Sequence, residues 1–401
     1  MIPEFLIALF LGVIVGTFTG LFPGIHVNLI AAYLVAASAF LLGHFSALSI
    51  ALFIISVSIT HTFVDYVPSI FLGAPDEDSF LSILPGHQLL IEGQAHKAVV
   101  YTIYGGLIAL PIIILFSFLF VRFLPLFYPY VQRIMPLVLI LTSIFLILFE
   151  KSSKILALTI FFLSGFLGIA TLNLPLKEPM LPLFTGLFGI SSLVTSLMKK
   201  QKIPEQKIWN LKDIKIPKKS SLKAATSALI ASPLASFLPG LGASQAAIIG
   251  SEVTGDLDQE EFLILLGIIN TVVMGLSFIT LYAINKTRTG SAEAVSNLLI
   301  LTKEHLPIIL ITIILSGILS AIIALNISKI ACRHISKVNY KYLSISIISL
   351  LVVLIILFSG VLGLLVLIIS TALGLFCILQ GIKRTQLMGT LLIPTILFYL
   401  V

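Results

Sequence analysis

The chain has 401 residues, of which 58% are hydrophobic and 10% are charged, and its mean hydropathy is +1.16. About a quarter of the residues in an ordinary soluble domain are charged. This composition therefore excludes a soluble multi-domain enzyme, a disordered chain and a collagen-like fibre. Lipid must surround most of the protein.

Apolar runs follow one another along the chain; many are long enough to span a bilayer, and several, 241–250 most plainly, are too short. They lie near 4–22, 25–42, 45–72, 98–121, 134–149, 153–172 and 180–198, then near 221–238, 241–250, 262–284, 305–327, 343–357, 359–380 and 387–401. Continuous runs of this kind lack the alternation of barrel strands. The sequence predicts an all-α polytopic membrane protein with roughly ten to fourteen membrane-embedded segments. The first run lacks the features of a cleaved signal peptide and is interpreted as a retained helix.

A basic linker divides the chain. Nine of the 24 Lys and Arg residues lie between positions 199 and 223, and the positive-inside rule places such a segment in the cytoplasm. We therefore expect a multi-pass protein of the cell membrane, in contact with membrane lipids, and no nucleic-acid partner. The predicted organisation is a first membrane repeat at 1–198, a cytoplasmic linker at 199–220 and a second repeat at 221–401. Trp209 is expected to anchor the linker at the lipid headgroups.

An internal repeat relates the two sides of this linker. Residues 20–32 read GLFPGIHVNLIAA and residues 236–248 read SFLPGLGASQAAI, which aligns Pro23-Gly24 with Pro239-Gly240. Further on, HTFV at 61–64 matches NTVV at 270–273, and a polar loop follows each, at 73–80 and 285–292. This ordered set indicates two homologous halves, an architecture common among transporters. The residues leave open whether the repeat is parallel or inverted.

Each Pro-Gly pair predicts a break in a membrane helix, because proline lacks an N–H and glycine tolerates unusual φ angles. In lipid, the freed backbone groups must face protein or a water-filled cavity. The helix that begins after the break directs its first N–H groups and its positive dipole end there, which suits a carboxylate or a phosphate. The alternative is a kinked helix whose polar side chains bind neighbouring carbonyls. The predicted anion-binding residues are Pro23, Gly24, His26 and Asn28 at the first break, and Pro239, Gly240, Gly242, Ser244 and Gln245 at the second.

A second polar set lies inside apolar segments. His61, Thr62 and Asp65 occupy a region where ionisable side chains are costly and usually functional. The four-residue spacing places His61 and Asp65 on one helix face. We expect this set to couple transport to a cation, either a proton or sodium; the alternative is that these side chains are solvated at the interface. Asn270 and Thr271 are the uncharged counterparts and are expected to contact the substrate.

The loop of the second half contains Arg288, whose guanidinium suits a carboxylate or a phosphate. The alternative for Arg288 is an interfacial position with the charge directed to the headgroups. The carboxylates at 76–78 lack the spacing of a calcium loop, so no metal site is expected. The sequence contains no P-loop and no H-E-x-x-H motif, so an enzyme is not expected.

The segments FPGIHVN and LPGLGASQAA resemble the paired P-G-L-G motifs of the large permease subunit of tripartite tricarboxylate transporters. The stretch at 73–99 is similar to that family's loop, and the similarity runs from about residue 10 to 110 and from about 220 to 300. The resemblance implies a secondary transporter of inverted repeats that moves carboxylates with ion coupling. It also implies a small membrane subunit and a periplasmic binding protein as partners. The substrate site that it implies consists of Pro23, Gly24, Asn28, Pro239, Gly240, Gly242 and Ser244.

The chain departs from the family pattern at Ile25-His26, where Leu-Gly is usual, and at 286–288, where the loop is usually rich in Gly and Pro. These residues add positive charge, which would also suit a lipid phosphate. The expected function is an ion-coupled secondary transporter of an organic anion, a di- or tricarboxylate, in which one half rocks against the other. The alternative is a translocase of a polyprenyl phosphate or a similar lipid. The sequence does not decide whether the protein forms a homo-oligomer.

Overall fold

The computed structural model describes residues 2–22, 27–36, 38–73, 81, 83–148, 150, 152–198, 203–214, 216–237, 242–255, 257–337 and 339–400. Every regular element among these residues is a helix, which confirms the all-α class for this part of the chain. Before the linker lie α1 (Ile2–Leu21), α2 (Val27–Ala36), α3 (Ser38–Leu41), α4 (Ala47–Val64), α5 (Tyr66–Leu72), α6 (Ile83–Ile91), α7 (Ala95–Leu148), α8 (Lys154–Leu172), α9 (Met180–Phe184) and α10 (Ser191–Met198). After it lie α11 (Lys218–Phe237), α12 (Ala243–Thr254), α13 (Gln259–Ile284), α14 (Gly290–Leu298), α15 (His305–Ile335), α16 (Tyr340–Leu379) and α17 (Gly389–Leu400).

Seven helices in the described part of the chain are long and apolar enough to cross a membrane. They are α1, α4 with α5, α7, α8, α13, α15 and α16. The protein is therefore a multi-pass membrane protein. No observation tests the domain boundaries at 198 and 220, which stay predictions.

Two spans form the centre of the molecule. Ala47–Leu72, made of α4 and α5, and Gln259–Ile284, which is α13, each have 26 residues. In their most apolar windows 83% and 94% of the residues are buried, against 44% or fewer in the other five spans. Each span ends at a residue with left-handed backbone, Gly73 at φ 64° and Asn285 at φ 51°. The two spans thus match in length and in the way they end.

The helix α4 packs in parallel with α1, because contacts advance along both helices together. Gly12 of α1 lies against the Ser56 side chain, and Gly20 lies against Val64. The Ser56 hydroxyl also donates to the carbonyl of Leu9 at 2.7 Å. Small residues at such positions let two membrane helices approach closely.

The other side of α4 contacts α15, which comes from beyond the linker. Ser316 Oγ donates to Ser56 Oγ, and Ser320 Oγ donates to Thr60 Oγ1, each at 2.9 Å. The two pairs advance together, so α15 also runs parallel to α4. We call α1, α4, α5 and α15 the α4 bundle; it combines helices from both sides of the linker.

The helices α13 and α7 pack closely together, with a glycine of each helix against the backbone of the other. Gly105 of α7 lies against the Ile264 carbonyl, and Gly267 of α13 lies against the Thr102 carbonyl. Farther along, Gly275 lies against Ile113, so α7 and α13 run parallel. Both close approaches need glycine, because a Cβ at either position would overlap a backbone carbonyl of the neighbouring helix.

The helix α11 completes this second group. Lys223 Nζ lies 3.5 Å from Glu261 Oε2 near the start of α13, and the Thr280 hydroxyl donates to the Ser236 carbonyl at 3.3 Å near its end. The helix α11 therefore runs parallel to α13. We call α7, α11 and α13 the α13 bundle, which also combines helices from both sides of the linker.

The two bundles run in opposite directions. Along their contact, Leu110 of α7 packs on Gly317 of α15, whereas His96, earlier in α7, lies 3.5 Å from Ser328, later in α15. The helices α7 and α15 are therefore antiparallel. Helices with the same place in the two halves (α1 and α11, α4 and α13, α7 and α15) thus have opposite directions.

The helix α7 differs from the sequence prediction. Separate segments at 98–121 and 134–149 are wrong: the structure joins them into one helix of 54 residues with four internal prolines. The intervening residues 122–133 read RFLPLFYPYVQR, and apart from Pro125 and Pro129 they contain none of the residues that favour turns. The aromatic and aliphatic residues around these prolines continue the helix. The helix α16 covers the two adjacent runs 343–357 and 359–380, and its backbone departs from helical geometry at Gly360, with φ 66°.

The described part of the linker docks against the corner between α6 and α7. The side chain of Gln206 donates to the Leu90 carbonyl at 2.9 Å and accepts from the Ala95 N–H at 3.1 Å. The backbone N–H of Lys207 donates to the Gly93 carbonyl at 2.9 Å. These bonds satisfy groups at the end of α6 and the start of α7.

Trp209 packs between a lysine of the linker and a lysine at the start of α7. The Lys207 ammonium lies 3.7 Å from its ring centroid and the Lys97 ammonium 5.8 Å. Lys97, at the start of α7, also forms an ion pair of 2.6 Å with Glu260, at the start of α13. The tryptophan therefore stacks against lysines of this corner.

Candidate functional site

Polar side chains meet where the two central spans cross. The Thr62 and Thr271 hydroxyls lie 3.2 Å apart, and the Asn270 amide donates to Asp65 Oδ2 at 3.2 Å. All four side chains are at most 2% exposed. A hydrogen bond between buried groups in apolar surroundings is stronger than in water. The structure thus joins four of the predicted residues into one contact between α4 and α13.

His61 lies in the same contact region, one turn before Asp65 on α4. Its Nδ1 is 3.1 Å from the hydroxyl of Thr19 on α1, and both side chains are buried. Sequence reasoning missed Thr19. A threonine inside an apolar helix usually bonds its own helix, so nothing in the sequence marks this one as a partner of histidine.

The loop that contains Arg288 folds against α13 at a point farther along the helix than the Thr62–Thr271 contact. Thr289 caps α14 through the Ala292 N–H, and its hydroxyl also donates to Ser277 of α13 at 3.2 Å. Ser277 is six residues beyond Thr271, a rise of about 9 Å along the helix. The structure therefore places the Arg288 loop near the central contact without joining it to that contact.

The breaks themselves fall largely outside the described residues. Pro23, Gly24 and His26 at the first break, and Pro239 and Gly240 at the second, lie outside them. For Asn28, Ser244 and Gln245 the structure describes the backbone, which is helical in α2 and α12. Their proposed roles stay predictions.

Gly242 is the residue that precedes α12, and its backbone is extended, with φ −75° and ψ 174°. From there α12 folds back along α11. Its last residue, Thr254, shares a hydrogen bond with Ser227, and Gly250 packs on the Ser227 carbonyl. The two helices therefore run antiparallel to each other.

The two breaks lie at different distances from the Thr62–Thr271 contact. Gly20, shortly before the first break, packs against Val64, two residues from Thr62. Ser236, at the matching place before the second break, contacts Thr280, nine residues from Thr271. The described end of α1 thus lies near the central contact, and the described end of α11 lies farther along α13.

A further polar cluster lies among α8, α10 and the turn before α17. Arg384 donates to the carbonyls of Leu187 and Phe188 at 2.9 and 2.6 Å and to Ser192 Oγ at 2.6 Å. These carbonyls belong to a π-helical turn at Thr185–Ile190, where the wider winding changes the usual helical bonding. Burial lowers the pKa of Arg384 to about 10, so it stays charged near neutral pH.

Glu150 lies beside this cluster. It accepts hydrogen bonds from the backbone N–H groups of Ser152 and Lys383 and from the Gln386 amide. Burial raises the pKa of Glu150, but these hydrogen bonds outweigh that effect and hold it below its ordinary value. In the sequence, the basic pair at 383 and 384 beside a membrane span indicates only a loop, so nothing there points to this cluster.

Comparison with known proteins agrees with the architecture. Residues 6–389 match the model of the "Tripartite tricarboxylate transporter TctA family". A curated relative, "Uncharacterized protein MJ1079" of Methanocaldococcus jannaschii, is 32% identical over 405 residues, which cover 98% of this chain and 99% of the relative. No solved structure matches the chain significantly. The chain belongs to the tripartite tricarboxylate transporter TctA family.

Proposed function

We propose that this protein is an ion-coupled secondary transporter of a small organic anion, a di- or tricarboxylate, in the cell membrane. The observation that carries the proposal is the buried contact of Asp65 with Asn270 and of Thr62 with Thr271. An ionisable group between the two central spans of a membrane protein is costly and marks an ion or substrate path. Membership of a transporter family supports the carboxylate as substrate class.

The proposed architecture is a pair of inverted repeats. Support comes from the opposite directions of α1 and α11, of α4 and α13, and of α7 and α15. The equal lengths of the two central spans add to this support. The antiparallel hairpin of α11 and α12 supports a re-entrant helix pair at the second Pro-Gly break.

The anion is proposed to bind at the starts of α2 and α12, beside the two breaks. Gly242 has no side chain to cap α12, so its first N–H groups are suited to an anion. Arg288, whose loop is held to Ser277, supplies positive charge near the second break, and His26, Asn28, Ser244 and Gln245 select the substrate. Asn270 and Thr271 connect this region to the ion-coupling residues.

The moving bodies are proposed to be the α4 bundle and the α13 bundle. The sequence suggested that one half rocks against the other. However, hydroxyl contacts bind α15 to α4, and glycine contacts bind α7 to α13, so each half is divided between two tightly packed groups. The Thr62–Thr271 contact then lies on the surface where the two bundles move past each other.

Ion coupling is assigned to His61, Thr62 and Asp65, with a proton or sodium as the ion. On the described parts of α1, α13, α14 and α15, which pack on α4, the charged residues and histidines lie toward the helix ends. They are Glu4, Glu260, Glu261, Glu293, His305, Lys329, Arg333 and His334. His61 and Asp65 are therefore the groups suited to bind an ion at mid-depth.

The partners of the protein are proposed from its family. A tripartite system implies a small membrane subunit and an external binding protein. The basic linker at 199–223 is assigned to the cytoplasm by the positive-inside rule. Since α7 and α13 both begin beside this linker, their first residues belong to the same side.

The test is uptake of labelled citrate, succinate and malate into proteoliposomes that contain the purified protein, under imposed proton and sodium gradients. We expect gradient-driven accumulation of at least one carboxylate. In Asp65→Asn, the new amide oxygen can still accept from Asn270, so the fold is retained while accumulation against a gradient is lost. The matched control is Thr312→Val, which removes a buried hydroxyl that bonds within its own helix.

Two results would contradict the proposal. If no carboxylate moves under any gradient, and a polyprenyl phosphate copurifies and crosses the bilayer, the protein is a lipid translocase. If Asp65→Asn accumulates substrate as well as Thr312→Val does, the ion-coupling role of Asp65 is wrong.

A further inference from the structure

The contact between Thr19 and His61 indicates which ring nitrogen of His61 carries the hydrogen. Thr19 Oγ1 lies 3.1 Å from the Gly16 carbonyl in its own helix and 3.1 Å from His61 Nδ1. Both partners are within hydrogen-bond distance at once. Thr19 is 1% exposed and His61 is 3% exposed.

A hydroxyl has one hydrogen to donate and lone pairs to accept with. The Gly16 carbonyl can only accept, so the Thr19 hydrogen must point to it if that bond is made. The second contact is then satisfied only when Nδ1 carries a hydrogen and donates it to Thr19. Because buried polar groups are almost always paired, the arrangement that makes both bonds is favoured.

We propose that Thr19 is a positioning residue that fixes His61 in the Nδ1–H tautomer, with the Nε2 lone pair as the acceptor of the neutral ring. This is the reverse of the preference of a free histidine side chain in water. The tautomer is inferred from the two Thr19 contacts and does not depend on the proposed function. Its use, in which Nε2 takes the coupling proton or a hydrogen bond from the substrate, rests on the proposed function.

The arrangement suits a group that gains and loses a proton. When Nε2 is protonated, Nδ1 still carries its hydrogen and still donates to Thr19, so no bond on that side has to break. The opposite tautomer would require the Thr19 hydroxyl to turn when Nδ1 is protonated. At this level, among the described side chains, α1 contributes Thr19, α13 Thr271, α15 Ser320 and α7 Gly106, all uncharged. The helix α14 also packs on α4, and its charged residue is the exposed Glu293. Asp65, one turn on at the end of α4, is the titratable neighbour along the same chain segment.

The test is nitrogen NMR of protein labelled at histidine, in lipid bilayers at mildly alkaline pH. The His61 signals are identified by their loss in His61→Gln. We expect the wild type to show a protonated Nδ1 and an unprotonated Nε2. Thr19→Val, which keeps the shape but removes the acceptor, should move His61 toward the Nε2–H tautomer, whereas Thr19→Ser should keep the wild-type signals.

Thr312→Val is the matched control, because it removes a buried hydroxyl that bonds to the Ile308 carbonyl within α15. It should leave the His61 tautomer unchanged. An Nε2–H tautomer in the wild type, or a tautomer unaffected by Thr19→Val, would overturn the inference. The spectrum needs no transport, so a correct tautomer in a protein that moves no carboxylate would count against the proposed function alone.

Discussion

Thr62 and Thr271 are 209 positions apart in the chain, and their hydroxyls lie 3.2 Å from each other. They also hold the same place in the two repeated segments, HTFV and NTVV. A residue contacts its own counterpart when both lie on a twofold axis that relates two halves. In the proposed inverted repeat, this pair would mark the pseudo-symmetry axis, and it lies at the contact between the two bundles.

The first prediction concerns crosslinks, in a background without the two buried native cysteines, Cys332 and Cys377. A disulfide formed by Thr62→Cys with Thr271→Cys joins the two bundles and should stop whatever uptake the same protein retains when it is reduced. A disulfide formed by Ser56→Cys with Ser316→Cys joins the two halves within one bundle and should leave uptake intact. Uptake is compared before and after oxidation of the same protein.

The opposite result would identify the halves as the moving bodies. If the bond within the α4 bundle stops uptake and the bond between the bundles does not, the bundles are not the rigid units. Mass spectrometry of the oxidised protein verifies that each disulfide has formed.

The second prediction concerns the packing of α7 on α13. A methyl group at Gly105 or at Gly267 would overlap a backbone carbonyl of the facing helix, at Ile264 or Thr102. Gly105→Ala and Gly267→Ala should each lower the free energy of unfolding by about 1–3 kcal/mol, the usual cost of overpacking. Gly43→Ala is the control, because a Cβ there would lie 3.3 Å from its nearest neighbour, at an exposed position. Thermal unfolding in detergent measures the difference, and equal stability of all three variants would contradict the packing.

The third prediction concerns Glu150. Its pKa is raised by burial but lowered overall by hydrogen bonds from Ser152, Lys383 and Gln386. A carboxyl with a lowered pKa in the folded state stabilises the protein above its unfolded-state pKa of about 4.3, and this contribution disappears as pH falls through the folded value. Glu150→Gln should therefore be less stable than wild type near neutral pH, and the difference should shrink on acidification.

Unfolding temperatures measured across the acid range test this expectation. The exposed Glu178 provides the control, since Glu178→Gln should follow the wild-type curve. A difference between Glu150→Gln and wild type that stays constant down to strongly acidic pH would show that the charge of Glu150 has no part in stability.

The fourth prediction concerns the docked linker. The Trp209 ring contacts Lys207, so trypsin should cut there slowly in the folded protein. Trp209→Ala removes the ring that Lys97 and Lys207 flank and should speed cleavage, whereas Trp209→Phe keeps an aromatic face and should cleave more slowly than the alanine variant. Trypsin should reach this site from the cytoplasmic side of inverted vesicles. Cleavage from the outer side alone would reverse the assigned orientation.

The polar residues between the central spans could be predicted because they stand out from their surroundings. His61 and Asp65 interrupt an otherwise apolar run, and the repeat led from them to Asn270 and Thr271. Such residues are costly in lipid, so their presence alone is informative. Their hydrogen-bond partners, by contrast, depend on which helices lie side by side.

The contacts that join distant parts of the chain could not be predicted. Ser56 and Ser316 look like many serines that bond their own helix, and no pattern in either segment points to the other. The position of Arg384 in the sequence is typical of a loop, because a basic residue beside a membrane span usually indicates which side of the membrane the loop faces. Its burial depends on the π-helical turn at Thr185–Ile190, which has no sequence signal.

The hydroxyl pair Ser56–Ser316 spans 260 positions, and this separation affects how the protein is made. Chains emerge from the ribosome with the N-terminal part first, so α4 enters the bilayer long before α15 exists. Until α15 is made, the hydroxyls of Ser56 and Thr60 lack their donors, Ser316 and Ser320. In the same way, α7 lacks its neighbour α13 until the second half is made. Neither half can complete its packing during its own synthesis, so assembly is concluded only after the last of these helices is inserted.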